Sequence, residues 1–388
     1  MAPREFDLAT IVRDAGSEFL KTRSTTPYQR KALRAIEQCR TPALGGQFAR
    51  CDRCGEQHLL FRSCGSRSCP RCQASARHDW LAARLKDLLP VPYFHVVFTV
   101  PEQLNVLALY CPEAFYGALL GAAGQALLDV GQTKLHAELG ALTVLHTWGQ
   151  NLSLHPHVHC VVPGGGFRGD RKAWVSVEKP TFFLPVKVLS RRFRTLLRLR
   201  LLKAFRAGKL ARLPRAVAWD QPSFELLLAR AGHTDWVVYS KPPFAGPQQV
   251  LEYLAAYTHR LAISNRRLVG FDGKTVAFRW KDYRDENRPK ILELDVLEFL
   301  RRFTLHILPP RLVRIRYFGF LANRNRVKNI ELARTLIGGE PIELRSPRER
   351  PSVPCPACAE GTLIIGPFWL PQLLPTPARD PPALEEAS

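Results

Sequence analysis

Acidic residues are in short supply in this chain. Its 34 Asp and Glu stand against 56 Lys and Arg, a formal net charge of +22. Such an imbalance points to a polyanionic partner, with nucleic acid ahead of an anionic membrane surface. Long apolar runs are missing too. The Gly, Ala and Leu-rich stretch 104–130 is broken by Pro112, Glu113 and Asp129, which predicts one or two packed helices and no bilayer span. No apolar run follows Met1-Ala-Pro-Arg-Glu-Phe-Asp, so no secretory leader is expected. The expected protein is cytoplasmic and nucleoid-associated, with no membrane partner. No internal repeat is visible. Apolar content is 46% of 388 residues, enough for a sizeable core spread over two or three domains.

Ten cysteines in a chain expected to be cytosolic suggest metal binding rather than disulfides. Cys51-Asp-Arg-Cys54 and Cys69-Pro-Arg-Cys72 are two chelating turns. Together they can complete one tetrahedral sulfur site, so structural Zn2+ is predicted on Cys51, Cys54, Cys69 and Cys72. Cys39 and Cys64 are alternates, or ligands of a second ion; His58 is a weaker candidate. Arg50, Arg53, Arg62, Arg67, Arg71 and Arg77 suit phosphate contact, against the plainer reading of a solvated surface. Cys355-Pro-Ala-Cys358 is half a knuckle with no evident second half.

Residues 1–40 have apolar positions near helical spacing, and 80–89 read as a further helix. Tyr93-Phe-His-Val-Val-Phe-Thr-Val, Leu142-Thr-Val-Leu-His-Thr-Trp and the stretch after Leu154 have strand composition. Strands separated by a long helical segment indicate an α/β or α+β domain on one sheet. Residues 189–213 form a basic segment with Phe193, Leu196, Leu197, Leu201 and Phe205 as its apolar stripe. A helix with one packed and one cationic face is expected, with Arg191 and Arg192 as candidate DNA contacts. Residues 268–282 predict a hairpin about Asp272-Gly273, and 294–308 a helix. In 311–326, Tyr317, Phe318 and Phe320 interleave with arginines, a pattern suited to single strands. The divisions expected are 1–90, 91–345 and a Pro-rich tail 346–388, disordered from about 366.

Two short patterns carry the chemistry. In His155-Pro-His157-Val-His159-Cys, a strand places the three histidines on one face. His157 and His159 could then hold a divalent metal with open positions left for substrate. In Tyr253-Leu-Ala-Ala-Tyr257, a helix stacks both phenols on one face; core packing is the plain alternative. Arg260, Arg266 and Arg267 follow as candidate DNA contacts. A metal on paired imidazoles can polarise a phosphate while a tyrosine oxygen attacks phosphorus.

The chain resembles the two-tyrosine HUH transposases of rolling-circle insertion sequences over roughly residues 30–345. The likeness rests on Cys39-Arg-Thr-Pro-Ala-Leu-Gly-Gly, Ser63-Cys64, Cys69-Pro-Arg-Cys72-Gln and Pro92-Tyr-Phe-His-Val-Val-Phe-Thr-Val-Pro101. It continues through Leu145-His-Thr-Trp-Gly-Gln150-Asn-Leu, the histidine stretch, Tyr253 to Asn265, and Glu298-Phe-Leu-Arg-Arg-Phe. The resemblance implies an α+β fold: a central antiparallel sheet flanked by helices forms the HUH endonuclease domain, with a small N-terminal zinc-binding domain. It implies His157 and His159 as metal ligands and Tyr253 and Tyr257 as the two nucleophiles. It implies Gln150 as third ligand, with His155 and His95 behind it, and Mg2+ or Mn2+ as the catalytic ion. The partners implied are single-stranded insertion-sequence ends and target DNA; no oligomeric state is implied. Ser68 stands where the family's cysteine module often has histidine. The alternatives are a rolling-circle replication initiator with the same chemistry and a non-catalytic, zinc-dependent DNA-binding regulator.

Overall fold

A computed structural model describes residues 6–178, 183–214, 219–233, 236–241, 261–283, 285–338, 353–358 and 360–369. The chain opens with α1 (Leu8–Thr22) and α2 (Pro27–Glu37), then the hairpin β1 (Gly46–Cys51) and β2 (Gln57–Phe61), then α3 (Pro70–Leu85). Next come β3 (Tyr93–Thr99), α4 (Asn105–Tyr110), α5 (Pro112–Leu135), β4 (Glu138–Trp148), β5 (Leu154–Pro163), β6 (Gly165–Phe167) and β7 (Trp174–Ser176). Helices α6 (Val186–Arg206) and α7 (Gln221–Gly232) precede β8 (Val238–Lys241). The chain continues through β9 (Leu268–Phe271), β10 (Thr275–Asp282), β11 (Arg288–Asp295), α8 (Val296–Thr304), β12 (Ile315–Gly319), α9 (Arg326–Ile337) and β13 (Leu363–Trp369).

The architecture is α+β, as expected. A seven-stranded sheet runs β7-β6-β4-β5-β3-β8, with β12 added to β4, and every pairing is antiparallel. Strand alternation gives this sheet two different faces. Phe94, Val96, Phe98, Leu145, Val158 and Cys160 point to a large core shared with α5 and α6. Helix α5 is buried on several sides, from Phe115 through Leu119 and Ala123 to Leu127, because it lies between the sheet and α6. Pro112 opens it at the first helical position, where a missing N–H costs nothing. The expected helical stretch thus divides in two at Cys111. The opposite face carries Leu142, Val144 and Val161, covered by α3, α9 and Phe320. The histidines lie on this second face.

The N-terminal helices do not form a core of their own. Capping boxes at Asp7–Thr10 and Thr26–Gln29 start α1 and α2. Their buried residues Leu8, Ile11, Phe19, Leu33 and Ile36 join Val276, Phe278, Phe299 and Phe303 in one cluster. A second sheet, β11-β10-β9, supports that cluster. The boundary placed at residue 90 is therefore crossed by a shared core. The hairpin at Asp272-Gly273 forms as predicted: Asp272 accepts from the Lys274 and Thr275 N–H groups, and Gly273 takes φ +91°.

Two expectations are corrected by the packing. Phe320 is fully buried, Phe318 packs against the large core, and Tyr317 lies between Arg84 and Arg326. Once this segment becomes a sheet strand, its rings are spent on protein contacts rather than bases. Residues 366–369, expected to open a disordered tail, instead belong to β13, which pairs with β1. Among the described residues no helix is long and apolar enough to cross a membrane.

Candidate active site

The β4–β5 register builds the site. His146 pairs directly with His157, and His159 follows two residues along the same strand. Directly paired and i+2 residues share a face, so three imidazoles converge. One ligand atom from each lies within 4.8 Å of the others. His146 and His159 are buried and His157 is half-buried, which leaves the His157 side as the open approach.

The second ring nitrogens have partners. His157 Nδ1 donates to the His155 carbonyl at 2.7 Å, leaving Nε2 for a metal. His159 Nδ1 lies 2.8 Å from His95 Nε2. If His159 Nε2 is to ligate, Nδ1 must carry the proton and donate it to His95. Burial, helped by Lys241, holds His95 down at about 4, so it is neutral and able to accept. A donor set of three imidazoles suits a divalent transition-type ion and leaves positions for phosphate oxygens. Trp148 stacks on the third ring, with centroids 4.4 Å apart.

Sequence reasoning missed His146 and chose Gln150 in its place. The Gln150 side chain is engaged elsewhere: its amide donates to the Tyr283 hydroxyl at 2.9 Å. It sits in the turn between β4 and β5, where three successive carbonyls are each taken by a distant side chain. Arg267 takes that of Gln150, Arg302 that of Asn151 at 3.1 Å, and His306 that of Leu152 at 3.1 Å. This clamp fixes the turn joining the two histidine strands. It also explains Arg267, expected on DNA. Its guanidinium instead donates to the carbonyls of Arg279, Ala262 and Gln150 and lies over the Phe278 ring. His155 contributes its carbonyl to His157 rather than a ring to the cluster.

The clamp carries a pH dependence. His306 Nε2 donates to Leu152 while Nδ1 accepts from the Thr147 hydroxyl, a set that the neutral ring satisfies. Burial holds His306 down at about 4. The unfolded chain therefore binds more protons between about pH 6.5 and 4, and stability falls as pH falls through that window. The loss is at most about 3 kcal/mol. Urea midpoints measured from pH 7 to 4.5 should drop in the wild type and much less in His306→Gln. An equal drop in both would remove this role.

Arg191 and Arg192 lie exposed on α6, and Arg192 pairs with Asp129 at 2.5 Å. That helix packs through Phe193, Leu197 and Leu201 on the sheet face opposite the histidines. Arg266 is exposed beside β9. Tyr253, Tyr257 and Arg260 lie outside the described residues.

The thiols form two groups, and neither is the predicted set Cys51, Cys54, Cys69 and Cys72. Cys39, Cys64, Cys69 and Cys72 make one; Cys51, Cys54, Cys355 and Cys358 make the other. The two N-terminal Cys-x-x-Cys pairs thus belong to different clusters, and Cys355/Cys358 joins Cys51/Cys54. In the first, sulfurs approach at 3.6–3.7 Å. A zinc–sulfur distance of about 2.3 Å gives a tetrahedral edge of about 3.8 Å, whereas a disulfide is about 2.05 Å. The sulfurs therefore match a ZnS4 shell. Hydrogen bonds with Cys64 and Cys69 hold Cys72 down at about 2, while those with Cys64 and Cys72 push Cys69 far up. A dication would allow all four to be thiolates. Arg67, expected on phosphate, donates instead to the carbonyls of Leu308, Pro309 and Leu312.

A histidine-bearing antiparallel sheet joined to two thiol clusters, on a strongly basic chain, fits a metal-binding protein that works on a polyanion. A family model described as "Putative transposase" matches residues 140–329, and one described as "Transposase zinc-binding domain" matches residues 11–100. The chain belongs to the two-tyrosine insertion-sequence transposase family with an N-terminal zinc-binding domain. It is 46% identical over 375 residues to "Putative transposase y4qJ" of Sinorhizobium fredii, covering 92% of this chain and 94% of that protein. It is 29% identical over 289 residues to "Transposase for insertion sequence element IS801" of Pseudomonas savastanoi pv. phaseolicola, covering 74% and 68% respectively.

Proposed function

We propose that this transposase cuts and rejoins single-stranded DNA through 5′-phosphotyrosine links. The observation that carries the reading is the convergence of His146, His157 and His159 on one sheet face. These three side chains, rather than a set including Gln150, would hold Mg2+ or Mn2+. The ion would supply polarisation of the scissile phosphate.

The remaining steps belong to the chain. A phenol of Tyr253 or Tyr257 loses its proton and its oxygen attacks phosphorus, forming a P–O(Tyr) bond. The bond from phosphorus to the 3′ oxygen breaks, and that oxygen takes up a proton. The energy of the phosphodiester is retained in the tyrosine ester, so a free 3′-hydroxyl can reverse the step without ATP. Two nucleophiles permit two successive cleavages. His155 and His95 hold the ligand rings in position, and the clamped turn fixes the spacing of their strands. Zinc in the Cys39 cluster is structural. The substrates are insertion-sequence ends and target strands, met in the cytoplasm at the nucleoid.

The test incubates purified protein with a labelled single-stranded oligonucleotide from the element's end and Mn2+, followed by a denaturing gel. A covalent protein–DNA band is expected. It should survive in Tyr253→Phe and in Tyr257→Phe but vanish in the double variant. If the double variant and the wild type act alike, the chain is a DNA-binding regulator and the catalytic reading fails.

A further inference from the structure

The zinc-binding domain match ends at residue 100, yet half of the second thiol cluster lies beyond residue 350. We propose that Cys51, Cys54, Cys355 and Cys358 hold a second zinc ion, supplied jointly by both ends of the chain. That ion would fasten the C-terminal segment onto the N-terminal hairpin.

The sulfur spacing fits a metal shell. Cys51 and Cys358 are 3.7 Å apart, as are Cys54 and Cys355, close to the tetrahedral edge of about 3.8 Å and far from a bonded pair. Backbone amides already point at the sulfurs. The N–H groups of Arg53 and Cys54 donate to Cys51 Sγ at 3.4 Å, and that of Gly361 donates to Cys358 Sγ at 3.3 Å. Such N–H···S bonds stabilise thiolates as outer-shell contacts do elsewhere.

The two halves are built for one another. Asp52 and Thr362 join by two hydrogen bonds: the Asp52 N–H donates to the Thr362 carbonyl, and the Thr362 N–H donates to the Asp52 carboxylate at 2.7 Å. β13 then runs antiparallel along β1, Cys51 opposite Leu363. Position 361 must be glycine, because a Cβ there would overlap Cys51 Sγ.

Apolar burial is too small to hold this assembly. Its core is Ala49, Cys51, Cys355 and Leu363, with Leu60 and Cys358 partly buried against it. Two of the four buried members are themselves cluster thiols. A mini-sheet with so little core needs a staple. The thiols supply one by closing a span of 301 residues between Cys54 and Cys355. Loading the site releases the thiol protons and leaves zinc redox-silent, so no oxidant is required.

The experiment counts zinc in the purified full-length protein and follows protection of residues 46–51 and 363–369 by hydrogen exchange. Wild type should carry two ions per chain. Cys355→Ser with Cys358→Ser should carry one and lose protection in both segments. Cys358→His, which keeps a ligand, should retain two. Should the double serine variant fail to fold, Co2+ titration of the wild type decides: two equivalents with thiolate charge-transfer bands support the site. One equivalent, or a double variant that keeps the full zinc count or its protection, overturns it. The catalytic reading can fail without affecting any of these outcomes.

Discussion

His146→Ala should lower strand cleavage by roughly 10²- to 10³-fold, about 3–4 kcal/mol of transition-state stabilisation, while Gln150→Ala should change it less than about threefold. His157→Ala and His159→Ala should match or exceed the His146 loss. The ranking follows from placement: the three rings share a face and a 4.8 Å circle, whereas the Gln150 amide is bonded to Tyr283. Cleavage rates on single-stranded oligonucleotides at saturating Mn2+, with binding measured in parallel, separate ligand loss from misfolding. DNA binding should survive in all four variants. Equal losses for Gln150→Ala and His146→Ala would return the third-ligand role to the turn. A collapse of DNA binding in the histidine variants would make the rings structural.

The second large effect concerns the Cys39 cluster. Cys69→Ala should abolish cooperative unfolding of the N-terminal part and leave the protein prone to aggregate. Structural zinc in a four-thiolate site contributes about 10–16 kcal/mol of apparent binding energy at neutral pH, as much as the whole stability of a typical domain, about 5–15 kcal/mol. The damage should spread. Cys39 and Cys69 belong to the same buried cluster as Phe19, Ile36, Phe299 and Phe303, so the metal supports helices from both ends of the sequence. Circular dichroism melts and zinc counts on Cys69→Ala and on chelator-treated wild type provide the check. An unchanged melt with zinc removed would mean the apolar cluster suffices.

The strands and helices were largely legible because their patterns are local. β3, β4 and β5 declared themselves through aromatic and β-branched runs, and the Asp272-Gly273 turn through its dipeptide. Residues 191–206 have the expected apolar stripe and cationic face. Pairings between distant segments were not legible. His146 becomes a candidate only when it is known to sit opposite His157, and the register shifts just beyond that pair, where His155 and Pro156 of β5 stand against Thr147 alone. The thiol partition failed for the same reason: spacing suggests that neighbouring Cys-x-x-Cys pairs share an ion, but β13 delivers a partner pair from 301 residues away. Arg267 and the rings of 317–320 were read as DNA contacts from composition. Nothing in composition separates a guanidinium facing phosphate from one capping three carbonyls.

The most direct measurement is the identity of the amino acid joined to DNA. Protein should be reacted with a 5′-tracked single strand in Mn2+, digested, and the DNA-linked peptide sequenced by mass spectrometry. The account predicts a phosphate ester on Tyr253 or Tyr257, with a free 3′-hydroxyl on the released fragment and no link formed when His157 is alanine. A link through another side chain, or clean hydrolysis with no protein-bound product, would contradict it.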